Sequence, residues 1–251
     1  MSIFNNKVAY SKAPITEAII DVRAVLPDDV DVATLRRGHD SEITAYPQAT
    51  PLYLAHVHVE MPKAQAPTMQ STHGAHGWKS ISADKLYVWQ SRLDGFTLSR
   101  LAPYDQWKSF RAEAERLWDR YRIHARPAQV TRIAVRYVNR FDLPSQMGDL
   151  KEYLTTQPEV TTTMPHYALA GFFMQLQIPQ PDLSAMLLLN EALVPPSGPE
   201  TISVLLDIDL FIEKTLPTDS AQIWESIERL RHRKNEVFEG CITDATRERI
   251  R

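Results

Sequence analysis

Val130–Arg140, VTRIAVRYVNR, alternates apolar and polar residues with the two-residue period of a β-strand, and its charged positions are Arg132, Arg136 and Arg140. Ile15–Arg23, ITEAIIDVR, has the same rhythm, with Glu17 and Asp21 in the charged places. Overlaying the two puts Glu17 on Arg132 and Asp21 on Arg136. A strand written twice, once acidic and once basic, suits two copies that lie antiparallel side by side. Opposite charges on facing strands attract, whereas an identical repeat would set carboxylate against carboxylate. The expected pairing places Glu17 and Asp21 across from Arg136 and Arg132.

The rest of the chain extends this into two similar halves, 1–128 and 129–251, of one structural unit. After the first strand, Asp29 or Asp31 opens a helix. PLYLAHVHVEM alternates as a strand, and MPKAQAPTMQSTHGAHG reads as a polar loop. KLYVWQSRL and FTLSRL are strands joined at Asp94-Gly95, a strong hairpin signal. A helix follows in which Asp105 serves as N-cap and Trp107, Phe110, Ala114, Leu117 and Tyr121 make an apolar stripe. The second half repeats the order. The basic strand is followed by a short helix in MGDLKEYLTT, and then by strands in YALAGFFMQLQI, SAMLLLNEAL and TISVLLDIDLFIE. A second long helix starts near Asp219 and Gln222, which resemble a capping box. Each long helix has a Trp just past its start, Trp107 and Trp224. The predicted class is α+β: pseudo-duplicated β-α-β-β-β-α halves forming one curved antiparallel sheet, with two long helices on one face. That arrangement is analogous to the TATA-binding-protein-like fold, and an analogy of fold carries no function.

Composition bounds the function. The 251 residues are 43% hydrophobic and 24% charged, and the formal net charge is −3. Such a balance gives no electrostatic case for bulk binding to nucleic acid or membranes, without excluding a local patch. The single Cys241 rules out an internal disulfide and a cysteine-based zinc site, and it suits a reducing compartment. MSIFNNKVAY lacks the pattern of a signal peptide, and AMLLL is too short to span a bilayer. The expected location is the cytoplasm.

Three constellations could carry chemistry. Glu17, Asp21, Asp207 and Asp209 form a carboxylate set suited to a divalent metal and phosphoester or nucleotide chemistry. The competing and commoner arrangement pairs these acids with Arg132, Arg136 and Arg140. His56, His58 and Glu60 share a strand face, with His73 and His76 following, so imidazoles two residues apart could reach one metal ion. The arginine stripe, extended by Arg23, Arg92 and Arg100, suits phosphate or carboxylate recognition. With Tyr87, Trp89 and Tyr137 it could also meet single-stranded nucleic acid, but the acidic net charge opposes this. No nucleophile elbow or glycine-rich phosphate loop occurs. Arg229–Glu236, RLRHRKNE, reads as a solvated helix face.

APITEAIIDVR, LDGFTLSRLAPYDQW, TRIAVRYVNRFDLP, LLDIDLF and NEVFEGCITDATRE together resemble a sporadically distributed bacterial family of uncharacterised proteins. The most specific parts are RYVNR and the ending that contains Asn235, Phe238, Glu239, Ile242, Thr243 and Asp244. The resemblance spans almost the whole chain. It implies no activity, cofactor or catalytic residue, and its patchy distribution implies a mobile or defence-type locus. The leading expectation is a binding protein that recognises a partner protein or small ligand through a polar sheet face, with no resident cofactor. The alternatives are a metal-dependent phosphoesterase and a toxin–antitoxin component, and a homo-oligomer is compatible with each.

Overall fold

A computed structural model describes residues 10–60, 68–146, 148–166 and 169–251, with the backbone alone for 55–60 and 68–73. In chain order the elements are β1 (Ile15–Val25), α1 (Val32–Ser41), β2 (Gln48–Glu60), β3 (Thr68–Ile81), β4 (Tyr87–Arg92), β5 (Gly95–Leu101) and α2 (Trp107–Ala125). There follow β6 (Gln129–Pro144), β7 (Phe173–Gln180), β8 (Ala185–Val194), β9 (Thr201–Leu216), α3 (Ala221–Cys241) and α4 (Asp244–Ile250). The strands form one antiparallel sheet in the order β2-β3-β4-β5-β1-β6-β9-β8-β7. The acidic β1 and the basic β6 are neighbours at its centre.

Alternation decides which side of each central strand is buried. Ala18, Ile20 and Val22 of β1, Ile133, Val135 and Tyr137 of β6, and Leu206, Ile208 and Leu210 of β9 are almost fully buried. They share one core with Phe110, Ala114, Leu117 and Trp118 of α2 and with Ile223, Ile227, Leu230 and Phe238 of α3. The two helices meet across the halves, because Trp107 Nε1 donates to Glu228 Oε2 at 2.7 Å. Residues at the alternate positions, among them Asp21, Arg132, Arg136 and Asp209, lie on the opposite side of the sheet.

Several local expectations need correction. Thr68–Gly77, expected as loop, is strand and pairs with β2 along its length. Its small and polar residues carry no apolar period, and its backbone pairs with β2. The N-cap of α2 is Gln106, without a side-chain cap, while Asp105 lies 3.5 Å from Arg100. Ser220, not Asp219, caps α3 by accepting from the Gln222 N–H. Asp31 does cap α1, through the Thr34 N–H. The helix expected in MGDLKEYLTT is a single 3-10 turn, Leu150–Glu152. The chain after α3 makes a further short helix, α4, capped by Thr243.

Candidate functional site

A cleft of about 380 Å³ lies on the polar side of the central strands. Ile19, Asp21 and Arg23 come from β1, Thr97 from β5, Arg132, Ala134 and Arg136 from β6, and Asp209 from β9. Strand alternation puts them on one side, and the antiparallel pairing of β1 with β6 brings the two charged rows together.

The register differs from the expected one by two residues. Arg136 faces Ile19 and Arg132 faces Arg23, while Glu17 faces Val138 and Asp21 faces Ala134. Salt bridges therefore run diagonally and to other strands. Asp21 is the hub. Its Oδ1 accepts from Arg92 Nη2 at 2.8 Å and from Thr97 Oγ1 at 2.7 Å, and its Oδ2 accepts from Arg23 and Arg132, each at 3.2 Å. Burial opposes ionisation of this carboxyl, but Arg92, Arg23 and the Thr97 hydroxyl outweigh it and hold its pKa below the usual range. Arg92 Nη1 also donates to Thr97 Oγ1. Asp94, from the β4–β5 turn, joins Arg23, Arg92 and His76 to the same network.

Arg136 grips Asp207 with two parallel bonds, Nε to Oδ1 at 2.8 Å and Nη2 to Oδ2 at 2.7 Å. Asn190 of β8 donates to the same Oδ2 at 3.1 Å. The Asp207 side chain is 4% exposed and the Arg136 side chain 44%, so the acid lies beneath and the guanidinium above. Arg132 stacks over the Phe211 ring at 4.3 Å and stands 3.6 Å from Asp209 Oδ2. Asp209 is the ill-served member of the set. Its Oδ1 is buried with no hydrogen-bond partner among the described residues, and burial raises the pKa of its carboxyl.

The other expected site residues fall elsewhere. The Glu17 side chain makes no hydrogen bond or ion pair among the described residues, while its backbone joins the ladders to β5 and β6. Arg140 bonds to Asp142, Ser203 and the Pro195 carbonyl, near the far end of β6. Arg100 belongs to the buried side of β5, where it stacks on Tyr87. His56, His58 and Glu60 lie in β2, opposite Thr72, Gln70 and Thr68, and their side chains fall outside the described residues. Among the described residues no group of three or more His, Cys, Asp or Glu is placed to hold a metal ion. Of the carboxylate set, Asp21 and Asp207 are held by arginines, Asp209 stands 3.6 Å from Arg132, and the Glu17 side chain has no hydrogen-bond or ion-pair partner among the described residues.

Sequence reading missed Thr97, Ala134 and Ile19, since small and apolar residues on a polar strand face carry no chemical flag. The residues of the RYVNR and C-terminal patterns do structural work. Asn139 donates to the Leu206 carbonyl inside the core, and Phe238 stacks on Phe141. Glu239 accepts from Tyr10 and Arg247, and Thr243 caps α4.

No protein family, curated protein or solved structure matches the chain. Among the described residues no helix is long and apolar enough to cross a membrane.

Proposed function

We propose that this is a binding protein which recognises a small ligand or a partner protein through the polar face of its sheet, with the Arg23–Arg132–Arg136 cleft as the contact. The supporting observation is the vertical ordering of charge. The Arg23 and Arg136 side chains are 40% and 44% exposed, above Asp21 at 13% and Asp207 at 4%. Such a surface presents guanidinium forks that are already oriented by the acids beneath them, which lowers the entropy lost on binding. Saturation of Asp21 and Asp207 by arginine weighs against the metal-dependent phosphoesterase reading. The cytoplasm is the proposed location, and an accessory role in a mobile or defence-type locus follows from the family resemblance alone.

The same proposal includes an internal duplication. Successive pairings trace one row across the sheet: Ser80, Trp89, Leu98, Ile20, Val135, Leu210, Leu187 and Ile178. The sequence overlay equates Ile20 with Val135, and these two residues face each other. A pseudo-twofold axis between them would relate β1, β5, β4 and β3 to β6, β9, β8 and β7, and α2 to α3. β2 has no counterpart in this scheme, and the TATA-binding-protein-like analogy stays one of architecture.

The test is mass spectrometry of species retained by the purified wild type and by an Arg23→Gln/Arg132→Gln variant. A species bound by the first and lost by the second is the expected result. A wild type that runs alone at every concentration and retains nothing removes the reading.

A further inference from the structure

The lining of the cleft defines what kind of molecule it receives, given that the polar face is a recognition surface. Three arginines and two aspartates, Asp21 and Asp209, line the cleft, and Asp207 lies beneath Arg136, so what the cleft offers an anion is unfilled guanidinium N–H groups rather than net charge. Asp21 is fully occupied by its four donors. The arginines are not. Of the five N–H groups on a guanidinium, Arg136 uses two on Asp207 and Arg132 one on Asp21. The others have no hydrogen-bond partner among the described residues. Ala134 lies between the two arginines on β6, and Ile19 lies opposite Arg136, so the floor is low and apolar. Asp209 Oδ1 lacks a partner in the same wall. The Arg132 contact, at 3.6 Å, is to Oδ2 and exceeds a good hydrogen-bond length, while Oδ1 is closed to solvent, so a donor reaches Oδ1 only when the side chains over it shift.

We infer that the cleft binds a small organic acid, a carboxylate or a phosphate monoester, that carries a hydroxyl or amino donor beside its anionic group. The anionic oxygens take the spare N–H groups of Arg132 and Arg136, as charge-assisted bonds. The neighbouring donor satisfies Asp209 Oδ1 once the side chains over that buried oxygen shift, and the carbon skeleton rests on Ile19 and Ala134. The volume of about 380 Å³ is at the small end of the range for small-molecule sites.

The experiment is a titration of the ¹⁵N-labelled full chain with glycolate, acetate and glycerol 3-phosphate, read at the Ile19 and Ala134 amides. Saturable shifts are expected with glycolate or glycerol 3-phosphate, and whichever saturates at lower concentration separates the carboxylate from the phosphate source. Acetate, which lacks the donor, should bind at least about threefold more weakly than glycolate, and Asp209→Ala, which removes the acceptor, should abolish that preference. Arg136→Gln should weaken binding about tenfold or more. Ala134→Leu, which fills the floor while keeping every ion pair, should do the same if Arg136→Gln fails to fold. The inference is overturned if neither glycolate nor glycerol 3-phosphate gives a saturable shift, or if the shifts survive Ala134→Leu unchanged. If these acids fail while the wild type still retains a species that Arg23→Gln/Arg132→Gln loses, the small-acid inference falls and the recognition surface stands.

Discussion

Asp21 and Asp209 are the same residue type on the same side of one sheet, and their neighbours make them chemically different. Asp21 takes bonds from three guanidiniums and a hydroxyl, and its pKa is lowered, whereas Asp209 has one oxygen without a partner among the described residues and burial raises its pKa. Arg136 is the clearest case of a side chain whose removal leaves a stranded group. Arg136→Ala leaves the carboxylate charge of the buried Asp207 uncompensated and should cost roughly 2–4 kcal/mol. Lys151→Ala, which breaks only the exposed contact with Glu159, should leave the melting temperature unchanged. Equal melting temperatures for the two variants would contradict this account.

Two further buried groups contribute to the pH dependence. Glu191 is fully buried, both its oxygens are unpartnered among the described residues, and burial pushes its pKa up to about 7. Between pH 4.5 and 7 the folded chain holds a proton on Glu191 that the unfolded chain has released, so the contribution of this residue falls as pH rises through that window, against the opposite slope of His39, whose pKa burial lowers to about 3. Lys234 sits over the Tyr137 ring, and burial lowers its pKa to about 7. Its contribution falls in the opposite direction, as pH drops from 10.5 toward 7. Denaturant titrations should show Glu191→Gln without the loss between pH 4.5 and 7, a difference on the order of 2–3 kcal/mol. Lys234→Met should raise the melting temperature at pH 7. A wild type and Glu191→Gln with parallel pH profiles would sink the first expectation. Both positions had a faint signal. Lys234 continues the stripe Ile223, Ile227, Leu230, and Glu191 continues the alternation of Leu187 and Leu189.

At the scale of elements, the strands were legible because their apolar residues alternate, and β3 was not because its residues do not. Register was the harder quantity. Moving β1 against β6 by two residues keeps every side chain on its own side of the sheet, so alternation cannot choose between the expected and the observed pairing. Charge does not choose either, because a guanidinium reaches diagonal neighbours as readily as the residue opposite. The Asp94-Gly95 turn is where local chemistry does fix geometry. Gly95 has φ of +150°, and a Cβ there would lie 2.3 Å from the Val22 carbonyl oxygen. Gly95→Ala should therefore destabilise the protein by roughly 2–3 kcal/mol. Chemical denaturation checks this, and a loss of less than about 0.5 kcal/mol, the size of an ordinary surface substitution, would contradict it.

For the whole molecule, the two halves meet along the β1–β6 ladder and across the Trp107–Glu228 contact between helices. Cutting the chain between 128 and 129 bares the edges of both central strands and the apolar rows they share with the core. Residues 129–251 alone should give a poorly dispersed NMR spectrum, and co-expression with 1–128 should restore the native one. A well-dispersed spectrum from 129–251 by itself would refute this interdependence. The sequence by itself determined the α+β class, the strands and helices with a clear apolar period, and the complementary acidic and basic strands at adjacent places, since these follow from local spacing and residue type. Only the tertiary structure decided which arginine holds which acid, which carboxylate is left with an open oxygen, and where the cleft lies. Those outcomes depend on register and on side chains reaching across several strands, and neither is encoded by the order of residues within any one of them.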